Sequence, residues 1–174
     1  MFDESALRAA DLMTTDIAVV HPETPLRRAV QIMAARHVSG LPVVDGTGAL
    51  IGMITEGDLA RWHEDFPEHE STWLDMLGEG FELAPTFVEA LRAERHSVHG
   101  AMRAGPVVTV PESMPAREIA TLMHARGIKH VPVLRDGRMV GIVTRSDLVR
   151  ALGRALDAAE ADRARGALPP RPGT

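Results

Sequence analysis

The fold is decided by a seven-residue stretch that occurs twice in the chain. It reads Gly52-Met53-Ile54-Thr55-Glu56-Gly57-Asp58 in the first half and Gly141-Ile142-Val143-Thr144-Arg145-Ser146-Asp147 in the second. In both copies a glycine opens a short apolar run, and a Thr and an Asp stand three positions apart where strand character changes to helix character. The sequence therefore presents a hydroxyl and a carboxylate twice, each time at the end of a predicted strand.

The flanks of the two copies also correspond, which extends the match to a repeat of about fifty residues. Met13 and Met102 are 89 positions apart, and Pro42 and Pro132, each in an apolar-Pro-Val segment, are 90 apart. Single-residue changes in two turns account for the difference, and turns are where a true repeat tolerates such changes. Each copy predicts the order β-α-β-β-α, and so small a unit cannot bury its sheet alone.

This order of landmarks resembles the CBS domain, and two copies in one chain resemble a Bateman module. The landmarks are a Met, a strand ending in Pro-Glu, a helix, an apolar-Pro-Val strand and a Gly-x-x-Thr-x-x-Asp-Leu motif. The resemblance implies an α/β (α+β) fold in which two CBS repeats pack about a pseudo-twofold axis and leave two clefts between them. It also implies that two such chains pair as a homodimer.

We expect four segments along the chain. Residues 8–62 and 97–152 are the two repeats, and 153–174 hold the end of a helix and a Pro-rich tail. Residues 63–96 contain Trp73 and three of the four phenylalanines, which favours a packed helical insertion over a loose linker.

Within the repeats, the local patterns predict particular strands and helix ends. Short apolar runs indicate strands at 17–20 and 107–110. Thr24 is expected to be the N-cap of a helix whose first residue is Pro25. A helix is expected to begin near Ser146 and to continue through the apolar positions that follow it.

The repeated Thr and Asp suit the recognition of a nucleotide. A carboxylate can accept from two vicinal hydroxyls, as in a ribose, and Asp58 and Asp147 resemble the ribose-binding aspartates of the family. Thr55 and Thr144 can donate to a phosphate near a helix N-terminus. The alternative is that these residues only cap the following helix, since Thr and Asp are common cap residues.

The two copies differ in charge. The second has Lys129 and His130 directly before its apolar-Pro-Val segment, where nucleotide-binding family members often carry phosphate-binding cations, and Arg145 lies inside its motif. The first has Ser39, Gly40 and Glu56 at those places. Because charge-assisted contacts to phosphate are strong, we expect the Asp147 cleft to bind an adenine nucleotide. The Asp58 cleft is expected to bind more weakly, to be empty, or to hold an uncharged adenosine compound.

An adenine ring also needs an apolar slot. The resemblance assigns this role to strand residues that match the cleft walls of the family, although each could equally be ordinary core. The candidates are Ile17, Ala18, Leu41, Val107 and Val131.

Composition excludes several function classes. The 174 residues are 45% apolar with a net charge of −5, which indicates a globular chain and argues against binding of nucleic acid. No segment is long and apolar enough to span a membrane, and no signal peptide is recognisable. The absence of cysteine fits a cytoplasmic protein.

No catalytic or metal site is expected. The sequence lacks a nucleophile motif and a phosphate-cradling loop with Lys, so we predict a regulatory protein that is not an enzyme. His96 and His99 share a helical face but lack a third ligand.

Two functions remain open. The first is a stand-alone sensor that needs no cofactor and takes AMP, ADP, ATP or S-adenosylmethionine as a regulatory ligand, acting on an unknown target protein. The alternative is a ligand-free scaffold for dimerisation or protein interaction.

Overall fold

The computed structural model describes residues 7–64 and 96–166. The predicted helical insertion at 63–96 and the Pro-rich tail therefore lie almost entirely outside the described residues. The helices and strands are, in chain order, α1 (Ala9–Leu12), α2 (Leu26–Arg36), β1 (Gly40–Val44), β2 (Leu50–Thr55), α3 (Glu56–Glu64), α4 (Val98–Ala101), β3 (Arg103–Ala104), β4 (Val110–Pro111), α5 (Ala116–Arg126), β5 (His130–Arg135), β6 (Arg138–Thr144) and α6 (Arg145–Gly166).

These elements form two compact units. The Asp58 unit comprises residues 17–64 and 96–107, and the Asp147 unit comprises residues 7–16 and 108–166. In the Asp58 unit the sheet order is β1-β2-β3, with every pair antiparallel. In the Asp147 unit the order is β4-β5-β6, where β4 runs parallel to β5 and β5 runs antiparallel to β6. The mixed helix and strand class predicted from the sequence is confirmed.

The short helix that leads each repeat packs in the unit built on the other repeat's sheet. Ala9 and Leu12 of α1 are buried in the apolar core of the Asp147 unit, beside Ile119 and Val143. Val98 of α4 is buried in the core of the Asp58 unit in the same way. The compact units therefore have different boundaries from the repeats seen in the sequence.

The glycine and the methionine that mark each repeat come into contact because α1 and α4 pack in this way. An ideal Cβ on Gly141 would lie 2.6 Å from Cγ and 2.8 Å from Cβ of Met13, which follows α1. A Cβ on Gly52 would lie 3.1 Å from the sulfur of Met102, which follows α4. Glycine opens the motif in both copies because a methionine side chain lies against its backbone.

The first predicted strand of each repeat is much shorter than the sequence suggested. At 17–20 only Val20 pairs, in an isolated parallel bridge to Val43, and at 107–110 only Val110 lies in a strand. Val20 donates to the carbonyl of Pro42 and accepts from the amide of Val44. Extending this ladder backwards would require the amide of Pro42, and Pro132 stands at the same place in the other unit. Proline has no N–H to donate, so the parallel pairing ends there.

The predicted cap at Thr24 is also wrong. Helix α2 begins at Leu26 with Pro25 as its N-cap, and Pro25 offers no side-chain hydrogen bond. The Thr24 hydroxyl instead accepts the amide of His21 at 3.0 Å, which closes a turn. The first amide of α2, at Leu26, donates to the carbonyl of His96 at 2.9 Å. The backbone of the segment before α4 therefore caps the N-terminus of α2.

The two hairpins differ in the turn before the motif, where the sequence indicated a length change. Asp136 and Gly137 connect β5 and β6 with φ of 50° and 76°, as a type I′ turn requires. The longer β1–β2 turn is closed by Asp45, whose carboxylate accepts from the hydroxyl and amide of Thr47 and from the amide of Ala49. These hydrogen bonds hold the pKa of Asp45 below its ordinary value of 3.8.

Candidate functional site

In both units the motif forms a strand-to-helix junction with a buried carboxylate. Strand β2 ends at Thr55 and α3 begins at the next residue, and β6 ends at Thr144 directly before α6. The aspartate three positions after each Thr is the third residue of the helix. Asp58 is 3% exposed and Asp147 is 5% exposed, so both carboxylates are buried.

One carboxylate oxygen is committed to the junction itself. Oδ2 of Asp58 accepts the amide of Thr55 at 2.8 Å and its hydroxyl at 2.5 Å. Oδ2 of Asp147 accepts the amide and the hydroxyl of Thr144, both at 2.7 Å. The amide of Asp147 also donates back to the Thr144 hydroxyl at 3.3 Å, which completes a reciprocal capping box. The Thr and Asp therefore stabilise the start of the helix, and this role leaves the second carboxylate oxygen for other partners.

The second oxygen contacts arginines that the sequence analysis did not assign to the site. Arg61 forms an ion pair with Oδ1 of Asp58, and Arg150 forms the same pair with Oδ1 of Asp147. Each Arg follows its Asp by three positions, a spacing that brings side chains together on a helix. The repeat of Asp-x-x-Arg in the two motifs was the signal that could have identified both arginines.

A second arginine contacts only the first of the two aspartates among the described residues. Nε of Arg103, on β3, lies 3.5 Å from Oδ1 of Asp58. Arg103 is paired with Met53 of β2. The equivalent position in the Asp147 unit is Thr14, which forms a bridge with Ile142 of β6. The first copy thus has Ser39, Gly40 and Glu56 where the second has Lys129, His130 and Arg145, yet Arg61 and Arg103 bring positive charge to its aspartate.

The predicted phosphate-binding residues of the second repeat gather at one end of β5 and β6. His130 begins β5 and is half-buried, in register with Thr144. The exposed Lys129 precedes it, and its carbonyl accepts the amide of Arg145 at 3.1 Å. Asp147 follows Arg145 by two positions, in the first turn of α6. The structure therefore brings all five polar candidates of this repeat together within one unit.

The apolar candidates divide into two groups. Leu41 and Val131 are 1% and 0% exposed and belong to the cores of their units, so core packing accounts for them. Ile17, Ala18 and Val107 are partly exposed and lie outside the strands. These three residues belong to the Asp58 unit, and among the apolar candidates they are the ones whose side chains have solvent-accessible surface that a ligand could contact.

No metal centre is visible in the described part of the chain. Within residues 7–64 and 96–166, no three His, Cys, Asp or Glu side chains converge.

Comparison with known proteins places the chain in a family. A sequence model of the CBS domain matches residues 9–65 and 98–154. The chain belongs to the CBS-domain family. The two matched segments correspond to the two repeats, so the fold of two CBS repeats expected from the motif is confirmed.

Several relatives share most of the chain. A CBS domain-containing protein of Dictyostelium discoideum is 35% identical over 147 residues, which are 84% of this chain and 91% of that protein. The chloroplastic CBSX2 of Arabidopsis thaliana is 29% identical over 154 residues, 81% of this chain and 61% of that protein. Two archaeal inosine-5′-monophosphate dehydrogenases also match, over 23% and 24% of their length, so the similarity is confined to a minor part of those enzymes.

Solved structures of CBS-domain pairs resemble this fold. CBSX2 in complex with AMP aligns with a TM-score of 0.62 and 26% identity, covering 86% of this chain and 98% of that one. The CBS pair of protein MJ0100 in complex with 5′-methylthioadenosine and S-adenosylmethionine aligns with a TM-score of 0.62 and 25% identity, with the same coverage. Among the described residues, no helix combines the length and the apolar character needed to cross a membrane.

Proposed function

We propose that this chain is a regulatory, non-catalytic module that binds an adenosine-derived ligand, namely AMP, ADP, ATP or S-adenosylmethionine. It acts in the cytoplasm as a homodimer and signals to a target protein through a change of conformation or assembly. Such a signal requires the ligand to bind two states of the module with different affinity. The crystallised relatives that bind AMP, 5′-methylthioadenosine and S-adenosylmethionine support the ligand class.

The arrangement around Asp147 carries this proposal. Its Oδ2 is fixed by Thr144, so the carboxylate has one orientation and presents Oδ1 at the strand end. A fixed carboxylate loses little conformational freedom when it accepts ribose hydroxyls. Lys129, His130 and Arg145 lie at the same end of the sheet. Lys129 and Arg145 supply positive charge, and His130 a ring nitrogen, for a phosphate or for the carboxylate of S-adenosylmethionine.

The second repeat is therefore proposed as the stronger site. Its polar set is Thr144, Asp147, Lys129, His130 and Arg145. For the first repeat we propose a weaker site on Thr55 and Asp58. Ile17, Ala18 and Val107, which are partly exposed, are proposed as apolar contacts of a bound base, whereas Leu41 and Val131 are assigned to the cores of their units.

Calorimetric titration of the chain with AMP, ADP, ATP and S-adenosylmethionine tests the proposal. Asp147→Asn should weaken binding at least about tenfold, because an amide replaces the acceptor of a charged hydrogen bond. Asp45→Asn is the matched control, since it removes a carboxylate from an exposed turn and should leave affinity unchanged. Thermal unfolding of each variant separates lost binding from lost folding. No binding of any of the four compounds at millimolar concentration would refute the proposal.

A second candidate function is a ligand-free interaction scaffold. It is favoured by an exposed apolar stripe on α6, where Val149, Leu152 and Leu156 are 68%, 52% and 58% exposed. Their spacing places them on one face of the helix. Replacing Leu152 and Leu156 by Gln should then abolish association of the chain in analytical ultracentrifugation, whether or not nucleotide is present.

A further inference from the structure

We propose that Arg103 makes the two sites unequal by occupying the acceptor position on Asp58 that a ribose hydroxyl would use. The Asp58 site is thereby closed to a neutral ribosyl ligand, whereas the Asp147 site stays open to it. This inference rests on the proposed function and identifies the residue that sets the specificity of the first site.

A carboxylate has a limited hydrogen-bonding capacity. An ionised carboxylate has about four lone-pair directions, two on each oxygen. On Asp58, Oδ2 accepts the amide and hydroxyl of Thr55, and Oδ1 accepts from Arg61. Three directions are thus in use, and the guanidinium of Arg103 lies beside the fourth, with its Nε 3.5 Å from Oδ1.

Asp147 accepts the same three hydrogen bonds but, among the described residues, has no second cation beside Oδ1. Its Oδ2 accepts two donors from Thr144, and the described residues place Arg150 alone on Oδ1. One lone pair of Oδ1 is thus available within the described structure to accept a hydrogen bond from a hydroxyl group.

The position of Arg103 is set by the fold. It lies on β3 opposite Met53, and Met102 just before it packs against Gly52. The same place in the Asp147 unit is held by Thr14, bonded through both its amide and its carbonyl to Ile142 at 2.9 and 3.0 Å. A threonine carries no charge and has no side chain long enough to replace a guanidinium. The two units therefore differ at this edge position in residue type, an arginine in one and a threonine in the other.

Adenosine is the suitable probe because it has the ribose diol and no phosphate that Arg103 could bind instead. Each site is isolated by Asp147→Asn, which leaves the first, or Asp58→Asn, which leaves the second. In the Asp147→Asn background, Arg103→Thr should raise the affinity for adenosine at least about tenfold, because a charge-assisted acceptor becomes available. In the Asp58→Asn background, Thr14→Arg should lower it by a similar factor.

Two results would overturn this role for Arg103. The first is adenosine binding that Arg103→Thr leaves unchanged or weakens, which would mean that Arg103 contacts the ligand instead of excluding it. The second needs no ligand: the ¹⁵N NMR signal of the Arg103 Nε–H should shift in Asp58→Asn and stay in place in Asp147→Asn. A signal that does not respond to Asp58→Asn would refute the contact itself.

The proposed function fails differently. If neither the wild-type chain nor any variant binds adenosine, AMP or S-adenosylmethionine, the ligand class is refuted, and the role of Arg103 with it. If Asp58→Asn binds adenosine and Arg103→Thr gains nothing in the other background, only the role of Arg103 is refuted.

Discussion

The Asp58 unit and the Asp147 unit are built on the same motif and differ in what surrounds it. Both hold an aspartate with two hydrogen bonds from the threonine at the strand end and an ion pair from an arginine one helical turn later. Only the Asp58 unit, within the described residues, adds Arg103 to its carboxylate. The repeated residues therefore build the junction, and residues outside the motif give the two carboxylates different surroundings, which we propose as the basis of unequal ligand binding.

The largest expected effect concerns the Thr–Asp junction that the two units have in common. Asp58→Ala and Asp147→Ala should each lower the free energy of unfolding by about 3 kcal/mol, because a buried Thr amide and hydroxyl lose a charged acceptor. The two losses should be similar, since an ion pair to an exposed arginine adds little. Urea unfolding measures both. A loss confined to one unit would contradict the equivalence of the two junctions.

The second prediction separates the units at the motif glycine. Gly141→Ala should lower the free energy of unfolding by about 2 kcal/mol, because the new Cβ would meet the Cβ and Cγ of Met13 inside contact distance. Gly52→Ala should have less effect, about 1 kcal/mol or below, since the flexible end of Met102 can move away. Gly46→Ala is the control, because a Cβ there meets nothing within 4 Å. Equal effects at the two motif glycines would be inconsistent with the observed packing.

The third prediction concerns the tight turn of the Asp147 unit. Gly137 has a φ of +76°, which strains any residue with a Cβ, so Gly137→Ala should lower the free energy of unfolding by about 1 kcal/mol. Gly137→Asn should lower it less, because Asn tolerates this conformation. Thermal unfolding compares the two variants. An Ala variant as stable as wild type would show that the turn adopts another form.

The smallest effect is a pH dependence in the turn of the Asp58 unit. Hydrogen bonds from the Thr47 side chain and from backbone amides lower the pKa of Asp45 in the folded state. A lowered pKa means that the stabilisation is fully present above the unfolded value near 3.8 and is lost as the pH falls through the folded value. The gap in unfolding midpoint between wild type and Asp45→Asn should therefore be constant at neutral pH and shrink in acid.

The Asp147 unit provides a second carboxylate on which the same pH dependence can be measured. A side-chain hydrogen bond from Arg135 lowers the pKa of Glu112 from its ordinary value of 4.5, so Glu112→Gln should show the same sign. A gap that widens as the pH falls would contradict both assignments.

The sequence predicted well the structural features that depend on residues close together in the chain. The Thr–Asp pair, the helix after it, and strands β1, β2, β5 and β6 follow from local periodicity and from the repeat itself. Helix α2 ends at Arg36, and its C-cap His37 adopts the left-handed conformation. The pairing of Asp58 with Arg61 and of Asp147 with Arg150 is local too, and could have been predicted from the repeated spacing.

What sequence did not predict depends on contacts between distant positions. The exchange of α1 and α4 brings Met13 to Gly141 and Arg103 to Asp58, and no local pattern encodes either approach. The shortened first strands have a similar cause, because their length is limited by Pro42 and Pro132 on the strands they pair with. Local periodicity therefore overestimated the length of the first strand of each repeat. It also gave no sign that Arg103 lies beside Asp58.

The most direct test of the central claim is a crystal structure of the chain grown with AMP. The account predicts that the ribose hydroxyls of AMP lie within hydrogen-bond distance of Oδ1 of Asp147, while the contact between Arg103 and Asp58 persists. A ribose bound to Asp58 with Asp147 carrying no ligand would contradict it.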